Sequence, residues 1–210
     1  VRSGAGDVIP AQVTFFRIDA ESPFAPEPVR FDPDWGGGRS LVAFQIEPQV
    51  IAHLLPGEYR VAASRGYSWE VDESTIVVAP GTLQVVELTI DKTVDDAGWT
   101  SADLHLHAFW SPDSEVPYPV RLRQAAANDV AMPVFTEHTY MGPIAPSLAA
   151  AGVSNWVTPL PGQEVSTVEY GHFGAYPLVY DATLPSGGAI FEHGWPGTGL
   201  RVSFSRPYSI

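Results

Sequence analysis

The spacing of apolar residues changes near residue 95, and this change limits the folds that the chain can adopt. Up to that point, short runs rich in Val, Ile, Phe and Tyr are separated by Gly, Pro and Asp, which is typical of strands joined by turns. Beyond it, strand-like runs alternate with runs that favour helix, which indicates a parallel α/β unit. We therefore predict a mixed fold of two domains: a β-sandwich over residues 1–93 and part of an α/β barrel over residues 99–210.

The N-terminal part contains six predicted strands, at residues 10–19, 41–47, 58–64, 67–71, 75–79 and 83–91. Because side chains alternate along a strand, Tyr59, Val61 and Ala63 are expected on one face. Short strands at this spacing favour a small β-sandwich. The Pro-Gly-Glu-Tyr-Arg-Val segment at residues 56–61 resembles the carboxypeptidase-regulatory and transthyretin-like sandwich modules.

The C-terminal part contains four predicted strands, at residues 101–108, 130–137, 156–162 and 173–178. Two helices are predicted between them. The first covers residues 120–128, with Pro119 near its start, and the second covers residues 144–151 and ends at Gly152. This alternation predicts an incomplete barrel, in which functional side chains lie at the carboxyl ends of the strands.

The composition excludes several kinds of site. The chain has no cysteine, so any metal must be held by imidazole nitrogen and carboxylate oxygen, a ligand set that suits zinc, manganese or iron. The net charge of −13 argues against a nucleic-acid partner, because such a surface repels phosphate backbones. No apolar run approaches the length of a membrane span. The sequence does not indicate a compartment, although loss of a signal peptide would imply an extracytoplasmic one.

The run Asp-Leu-His-Leu-His at residues 103–107 is the strongest candidate for a functional site. Alternation along a strand directs His105 and His107 to one side, and it directs Leu104 and Leu106 to the other, into apolar packing. Two adjacent imidazoles at a strand end can bind one metal ion, and Asp113 follows after a short turn. A lone His-x-His is more often the polar face of a half-buried strand, so the prediction depends on further ligands.

Further ligand candidates follow at three separated places. His138 ends the second predicted strand, Glu164 follows the third, and His172 precedes the fourth. Clusters of histidine and carboxylate are characteristic of metal sites. We therefore predict a site for divalent metal ions formed by six residues: His105, His107, Asp113, His138, Glu164 and His172.

Five segments extend this pattern over about residues 99–194: Ser-Ala-Asp-Leu-His-Leu-His at 101–107, Ser-Pro-Asp-Ser at 111–114, Thr-Glu-His at 136–138, Pro-Gly-Gln-Glu-Val at 161–165 and Gly-His-Phe-Gly-Ala-Tyr-Pro at 171–177. In this order they resemble the PHP (polymerase and histidinol phosphatase) superfamily of metal-dependent hydrolases. The similarity is greatest to its CehA/McbA-type branch of carbaryl hydrolase-like proteins. The resemblance implies a distorted TIM-type barrel around two or three divalent metal ions.

The resemblance also implies roles for the six residues. The two histidines of the His-x-His run would hold one ion, and Glu164 would bridge it to a second ion that His172 also binds. Asp113 and His138 would serve a third. No catalytic side chain separate from the ligands is implied, because a metal-activated water would hydrolyse a phosphoester, carbamate or related ester bond of a small molecule.

The chain departs from the superfamily in two respects, the first being that Glu137-His138 stands where the superfamily usually has Asp-His. Other members carry a further histidine and an Asp-x-His pair in the second half of the barrel, whereas here the histidine that remains after His172 is His193. We therefore expect that the second half of the barrel is missing and that each metal position lacks one ligand. Asp103, Glu137 and His193 are candidates for orienting the ligands. The alternatives are an exposed carboxylate for Glu137, and for His193 a loop position or a ligand for the third metal ion.

Two further hypotheses compete with a hydrolase that is complete in itself. In the first, the chain is a non-catalytic or truncated relative that acts as a binding or interaction module. In the second, a homo-oligomer or an additional C-terminal segment supplies the ligands that this sequence lacks. A reading frame that continues into an Asp-x-His strand would favour the enzyme.

Overall fold

A computed structural model describes residues 1–19, 40–167 and 171–189 of the chain. The chain divides into two compact units: Val1–Trp99 with Ala126–Asp129, and Thr100–Ala125 with Val130–Ile210. The described residues contain three sheets, of four, three and two strands, and these residues form no closed barrel. The fold is therefore one of mixed sheets with few helices, and the β-sandwich and the partial barrel stay predictions.

The first unit contains an antiparallel four-stranded sheet. Its strands are β1 (Ala11–Arg17), β2 (Ser40–Gln45), β3 (Gly57–Ser64) and β4 (Asp72–Val78), in the order β2-β1-β3-β4. Each strand overlaps a run predicted from the sequence, because β-branched and aromatic residues are concentrated there. β1 pairs with both β2 and β3, so it lies inside the sheet.

The core of the first unit is built from alternate residues of these strands. Tyr59, Val61 and Ala63 of β3 are each at most 1% exposed, which confirms the face predicted for them. Phe15 of β1 belongs to the same buried cluster. The Tyr59 hydroxyl donates a hydrogen bond to the Leu55 carbonyl oxygen at 2.9 Å, so its buried polar atom is satisfied.

The strand predicted over residues 83–91 does not join the sheet. Leu88 and Ile90 are buried, as alternation predicts, with the exposed Thr89 between them. Their backbone groups bond to Arg2 instead of to a neighbouring strand: Arg2 N–H donates to the Leu88 carbonyl, and Ile90 N–H donates to the Arg2 carbonyl, both at 3.0 Å. The alternation of apolar residues therefore identifies which side chains are buried, but the segment does not pair with a strand of the sheet.

The strand predicted over residues 67–71 is also absent, because this stretch forms a turn and a single bridge between Trp69 and Lys92. Tyr67 is fully exposed. Trp69 is fixed by its side chain, whose indole Nε1–H donates to Oδ2 of Asp129 at 2.9 Å. Aromatic content favoured a strand here, but the segment is held by this side-chain bond and by a few backbone hydrogen bonds, such as Glu70 N–H to the Asp91 carbonyl at 2.8 Å.

The second unit contains a parallel three-stranded sheet. Its strands are β5 (Ala102–Leu106), β6 (Met132–Phe135) and β7 (Leu160–Pro161), in the order β5-β6-β7. Helix α1 (Tyr118–Ala127) follows β5 in the chain and helix α2 (Ile144–Ala151) follows β6, as expected where parallel strands need crossover connections. In the described ranges, no helix combines the length and apolar content that crossing a membrane requires.

Helix α2 has the bounds that the sequence predicts. Pro146 lies in its first turn, where a missing backbone N–H removes no intrahelical hydrogen bond. Gly152 ends the helix with a left-handed φ of 70°, and its N–H donates to the Ala149 carbonyl. Helix α1 begins at Tyr118, two residues before the predicted start, so Pro119 also lies in a first turn.

After β7 the chain forms an antiparallel hairpin of β8 (Gln163–Thr167) and β9 (Gly171–Ala175). This corrects the barrel strand predicted over residues 173–178, because β9 pairs with β8. Gly162 separates β7 from β8. A Cβ at Gly162 would lie 3.0 Å from the Ala175 carbonyl oxygen and 3.1 Å from the Phe135 carbonyl oxygen, so a side chain here would push against both backbones.

Candidate metal centre

The first candidate ligands lie where β5 is irregular. β5 has one more residue than β6 between the aligned pairs Asp103–Pro133 and Leu106–Phe135, which is a β-bulge. Leu104 is consequently 43% exposed, which corrects the prediction that it packs into the core. The His105 backbone N–H donates to Oδ1 of Asp103 at 3.1 Å. This hydrogen bond lets Asp103 stabilise the backbone at the bulge. It is made to the backbone of His105 and not to the imidazole ring.

His105 and His107 direct ring nitrogens at the same point. Their Nε2 atoms lie 2.9 Å apart, and the rings stack with centroids 4.9 Å apart. Oε2 of Glu164 lies 3.1 Å from Nε2 of His105 and 2.8 Å from Nε2 of His107. Two imidazole nitrogens and a carboxylate oxygen at such distances need a shared proton or cation between them, which is how metal ligands converge.

Asp113 lies on the loop after β5 and contacts two of the rings. Its Oδ1 lies 2.9 Å from Nδ1 of His107, and its Oδ2 lies 3.4 Å from Nε2 of His138. The hydrogen bond with His107 lowers the pKa of the Asp113 carboxyl, so the group is ionised near neutral pH. The carbonyl oxygen of His107 accepts from Arg121 Nε at 2.8 Å, which anchors the start of the loop.

His138 reaches the cluster because β6 continues to run beside the next strand. An isolated parallel bridge pairs His138 with Glu164, and the Glu164 N–H donates to the Glu137 carbonyl at 3.0 Å. The His138 N–H donates to Oγ of the buried Ser111 at 3.1 Å. In the ring, Nε2 lies 3.5 Å from Oε2 of Glu164, and Nδ1 lies 2.5 Å from Oγ of Ser166.

The role of Ser166 as a histidine partner is missed by reading the sequence. The sequence feature that could have identified Ser166 is its spacing from Glu164. Residues two apart on a strand share a face, so Ser166 lies on the same side of β8 as the ligand Glu164. That spacing becomes informative once β8 is known to be a strand. The sequence alone predicts a strand that stops at residue 162.

Glu164 is the central carboxylate of the cluster. It is 4% exposed, and its ion-pair contacts are to His105, His107, His138 and His172. Burial raises the pKa of the Glu164 carboxyl, but the attraction of His138 and the hydrogen bonds with His172 and His105 outweigh burial, so the pKa is lowered overall. A buried carboxylate surrounded by imidazoles is well placed to be neutralised by a cation.

The six predicted ligands come together in three overlapping groups that could hold a metal ion. The groups are His105, His107 and Glu164; His107, Asp113 and His138; and His138, Glu164 and His172. Within each group the ligand atoms lie within 4.8 Å of one another. The donors are imidazole nitrogen and carboxylate oxygen, as expected for a protein without cysteine, and they fit a borderline divalent cation.

Glu137 is buried beside the cluster, so it is not the exposed carboxylate that the sequence left as an alternative. It is 1% exposed, and its Oε1 accepts a hydrogen bond from the Ala108 N–H at 2.9 Å. Burial raises the pKa of the Glu137 carboxyl. Glu137 therefore holds the backbone just after His107, and His193 lies outside the described residues.

Comparison with models of known protein families, with curated proteins and with solved structures finds no match to this chain. The proposal of a function therefore depends on the site and on the sequence segments that form it.

Proposed function

We propose that the chain is a metal-dependent hydrolase that acts on phosphoester, carbamate or related ester bonds of small molecules. The observation that carries this proposal is the convergence of six residues, predicted as ligands from five separated segments, into three adjoining groups. An accidental polar surface would not collect four of the six histidines of the chain around one buried carboxylate. The similarity of the same segments to the PHP superfamily supports the same activity.

The residues of the cluster divide naturally among two or three zinc, manganese or iron ions. The His-x-His pair and Oε2 of Glu164 would hold one ion, and Oε1 of Glu164 with His172 would hold a second. Asp113 and His138 would hold a third. When bound, such ions polarise the ester and activate a water molecule for attack.

Exposure differs across the cluster in a way that suits a substrate site. The side chains of Glu164 and His107 are 5% and 14% exposed, whereas those of His105, His172 and Asp113 are 42%, 49% and 55% exposed. The buried residues form the floor of the site. The exposed ones leave an open side through which a small ester could approach.

The proposal is tested first by metal content. Purified protein should retain zinc, manganese or iron after dialysis, and His107→Ala should lose most of it, because His107 takes part in two of the three groups. His53→Ala is the matched control, since His53 is exposed and lies in the first unit. Protein without bound metal, or equal metal content in both variants, would refute the metal site.

The second test is hydrolysis. Metal-loaded protein is assayed with an aryl phosphoester and an aryl carbamate, and turnover should disappear in His107→Ala and persist in His53→Ala. If each metal position lacks one ligand, the rate of this chain should be low, because displacement of reacting groups by about 1 Å can reduce a rate by about a hundredfold. Metal binding with no turnover on either substrate would favour the binding-module hypothesis.

A further inference from the structure

Ser166 contacts the ring nitrogen of His138 that faces away from the carboxylates. Its Oγ lies 2.5 Å from Nδ1, whereas Nε2 faces Oδ2 of Asp113 at 3.4 Å and Oε2 of Glu164 at 3.5 Å. We propose that Ser166 is a positioning residue, which orients the His138 imidazole so that Nε2 is presented to a metal ion. This inference rests on the metal-dependent function proposed above.

β8 contacts both nitrogens of the His138 ring. Glu164 and Ser166 are two residues apart on this strand and share its face, so one faces Nε2 and the other faces Nδ1. The ring also meets His107 and His172 edge to face, with centroid distances of 4.7 and 5.3 Å and an interplanar angle of 82° in both pairs. These two contacts restrict the plane of the ring, and the Ser166 contact with Nδ1 distinguishes the observed ring orientation from the flipped one.

His107 shows the same arrangement in the same cluster. Its Nδ1 lies 2.9 Å from Oδ1 of Asp113, and its Nε2 lies 2.8 Å from Oε2 of Glu164. In both rings, therefore, Nδ1 meets a side-chain oxygen and Nε2 points to the central carboxylate. Metal-binding histidines usually have such a partner on the nitrogen that does not bind, because the partner fixes the tautomer and the ring orientation.

A hydroxyl suits the position next to His138 because it can both donate and accept a hydrogen bond. In the metal-free protein, the Ser166 O–H can donate to Nδ1 while Nε2–H faces the carboxylates. When Nε2 is a ligand, the ring proton must be on Nδ1, and the Ser166 oxygen can accept it. A carboxylate in place of Ser166 could only accept, and it would add negative charge beside Asp113 and Glu164.

The test compares Ser166→Thr with Ser166→Val, because these β-branched side chains have the same shape and differ in the hydroxyl. Both suit a strand. In calorimetric zinc titrations of the whole chain, Ser166→Val should weaken the binding of one ion by about 10- to 100-fold, and Ser166→Thr should stay within about threefold of the wild type. Ser154→Ala, which removes an exposed hydroxyl of the second unit, is the control and should leave zinc affinity unchanged. Equal losses in the Thr and Val variants, or no loss in Val, would overturn the proposal.

A second readout needs no zinc. Imidazole ¹⁵N signals of His138, assigned by comparison with His138→Gln, report the tautomer of the ring. In metal-free protein, Ser166→Val should move these signals towards those of a free imidazole, and Ser166→Thr should not. Identical His138 signals in the wild type and Ser166→Val would overturn the proposal. If the wild type binds no zinc but the Val variant still shifts the His138 signals, the proposed function fails, whereas the orienting contact of Ser166 with the ring stands.

Discussion

The Nδ1 atom of His172 lies 2.6 Å from Oε1 of Glu164, although these residues are not cross-strand partners. In the hairpin, Glu164 pairs with Gly174 and His172 pairs with Ser166. Glu164 and His172 are therefore diagonal neighbours on one face, where long side chains of antiparallel strands can meet. The two oxygens of Glu164 consequently face different histidines: Oε1 meets His172 on β9, and Oε2 meets His105 and His107 at the end of β5.

Replacing the residues of this pair should affect metal content unequally. His172→Ala should remove one bound ion and leave the others, because His172 takes part in one of the three groups. Glu164→Gln should weaken the binding of every ion it contacts by at least about tenfold, since the amide loses the negative charge. Elemental analysis after dialysis measures both effects. Glu115→Gln, an exposed control, should bind as the wild type does, and full metal content in Glu164→Gln would contradict a bridging carboxylate.

Metal should be released as the pH falls through the range in which imidazoles take up protons, about pH 7 to 5, because a protonated ring has no lone pair for a metal. The pKa of the Asp113 carboxyl and that of the Glu164 carboxyl are both lowered, so these groups stay ionised over that range. Release should therefore follow the histidines. A chelator dye measures free metal against pH, and retention of metal down to pH 4 would argue against histidine ligands.

Glu137→Gln should stabilise the metal-free protein at alkaline pH. A carboxyl whose pKa is raised by burial contributes stability when protonated, and this contribution is lost as the pH rises above the ordinary value. Gln keeps an acceptor for the Ala108 N–H and never ionises. The melting temperature of Glu137→Gln should therefore exceed that of the wild type at pH 8, and the gap should shrink at pH 5.

The matched variant for this position is Glu137→Ala, which leaves the buried Ala108 N–H without its acceptor. It should lose about 1–3 kcal/mol of unfolding free energy at both pH values. Equal melting temperatures for the Gln and Ala variants would mean that the hydrogen bond to Ala108 contributes little.

Ile90→Ala should destabilise the first unit even though residues 83–91 form no ladder. Ile90 is fully buried, and removal of a large aliphatic side chain from a core costs about 2–5 kcal/mol. Val85 lies in the same segment but is 80% exposed, so Val85→Ala should change the unfolding free energy by less than about 0.5 kcal/mol. Chemical denaturation measures the unfolding free energy of both variants. Equal losses of unfolding free energy would show that Ile90 does not contribute to the core.

The ligand set and the bounds of α2 could be predicted because their signals are local. Gly152 marks the end of α2, and the carboxyl ends of predicted strands place four of the six ligands: His105, His107, His138 and Glu164. The exposure of Leu104 could not be predicted, because a bulge depends on how β5 aligns with β6. The pairing of β8 with β9 likewise depends on a partner strand that apolar periodicity does not identify. Trp69 was predicted in a strand because it is aromatic. The hydrogen bond that holds its side chain could not be predicted, because the partner, Asp129, is 60 residues away in the sequence.

Gly162 limits how far this protein can tolerate mutation. Any side chain there would approach the backbone of Phe135 and that of Ala175, so one of these strands would have to shift. A shift of either would carry His138 or His172 away from Glu164, which lies two residues further along the chain. In a library of random variants, Gly162 should therefore be less tolerant of substitution than the exposed positions of the second unit, although it contributes no functional group of its own.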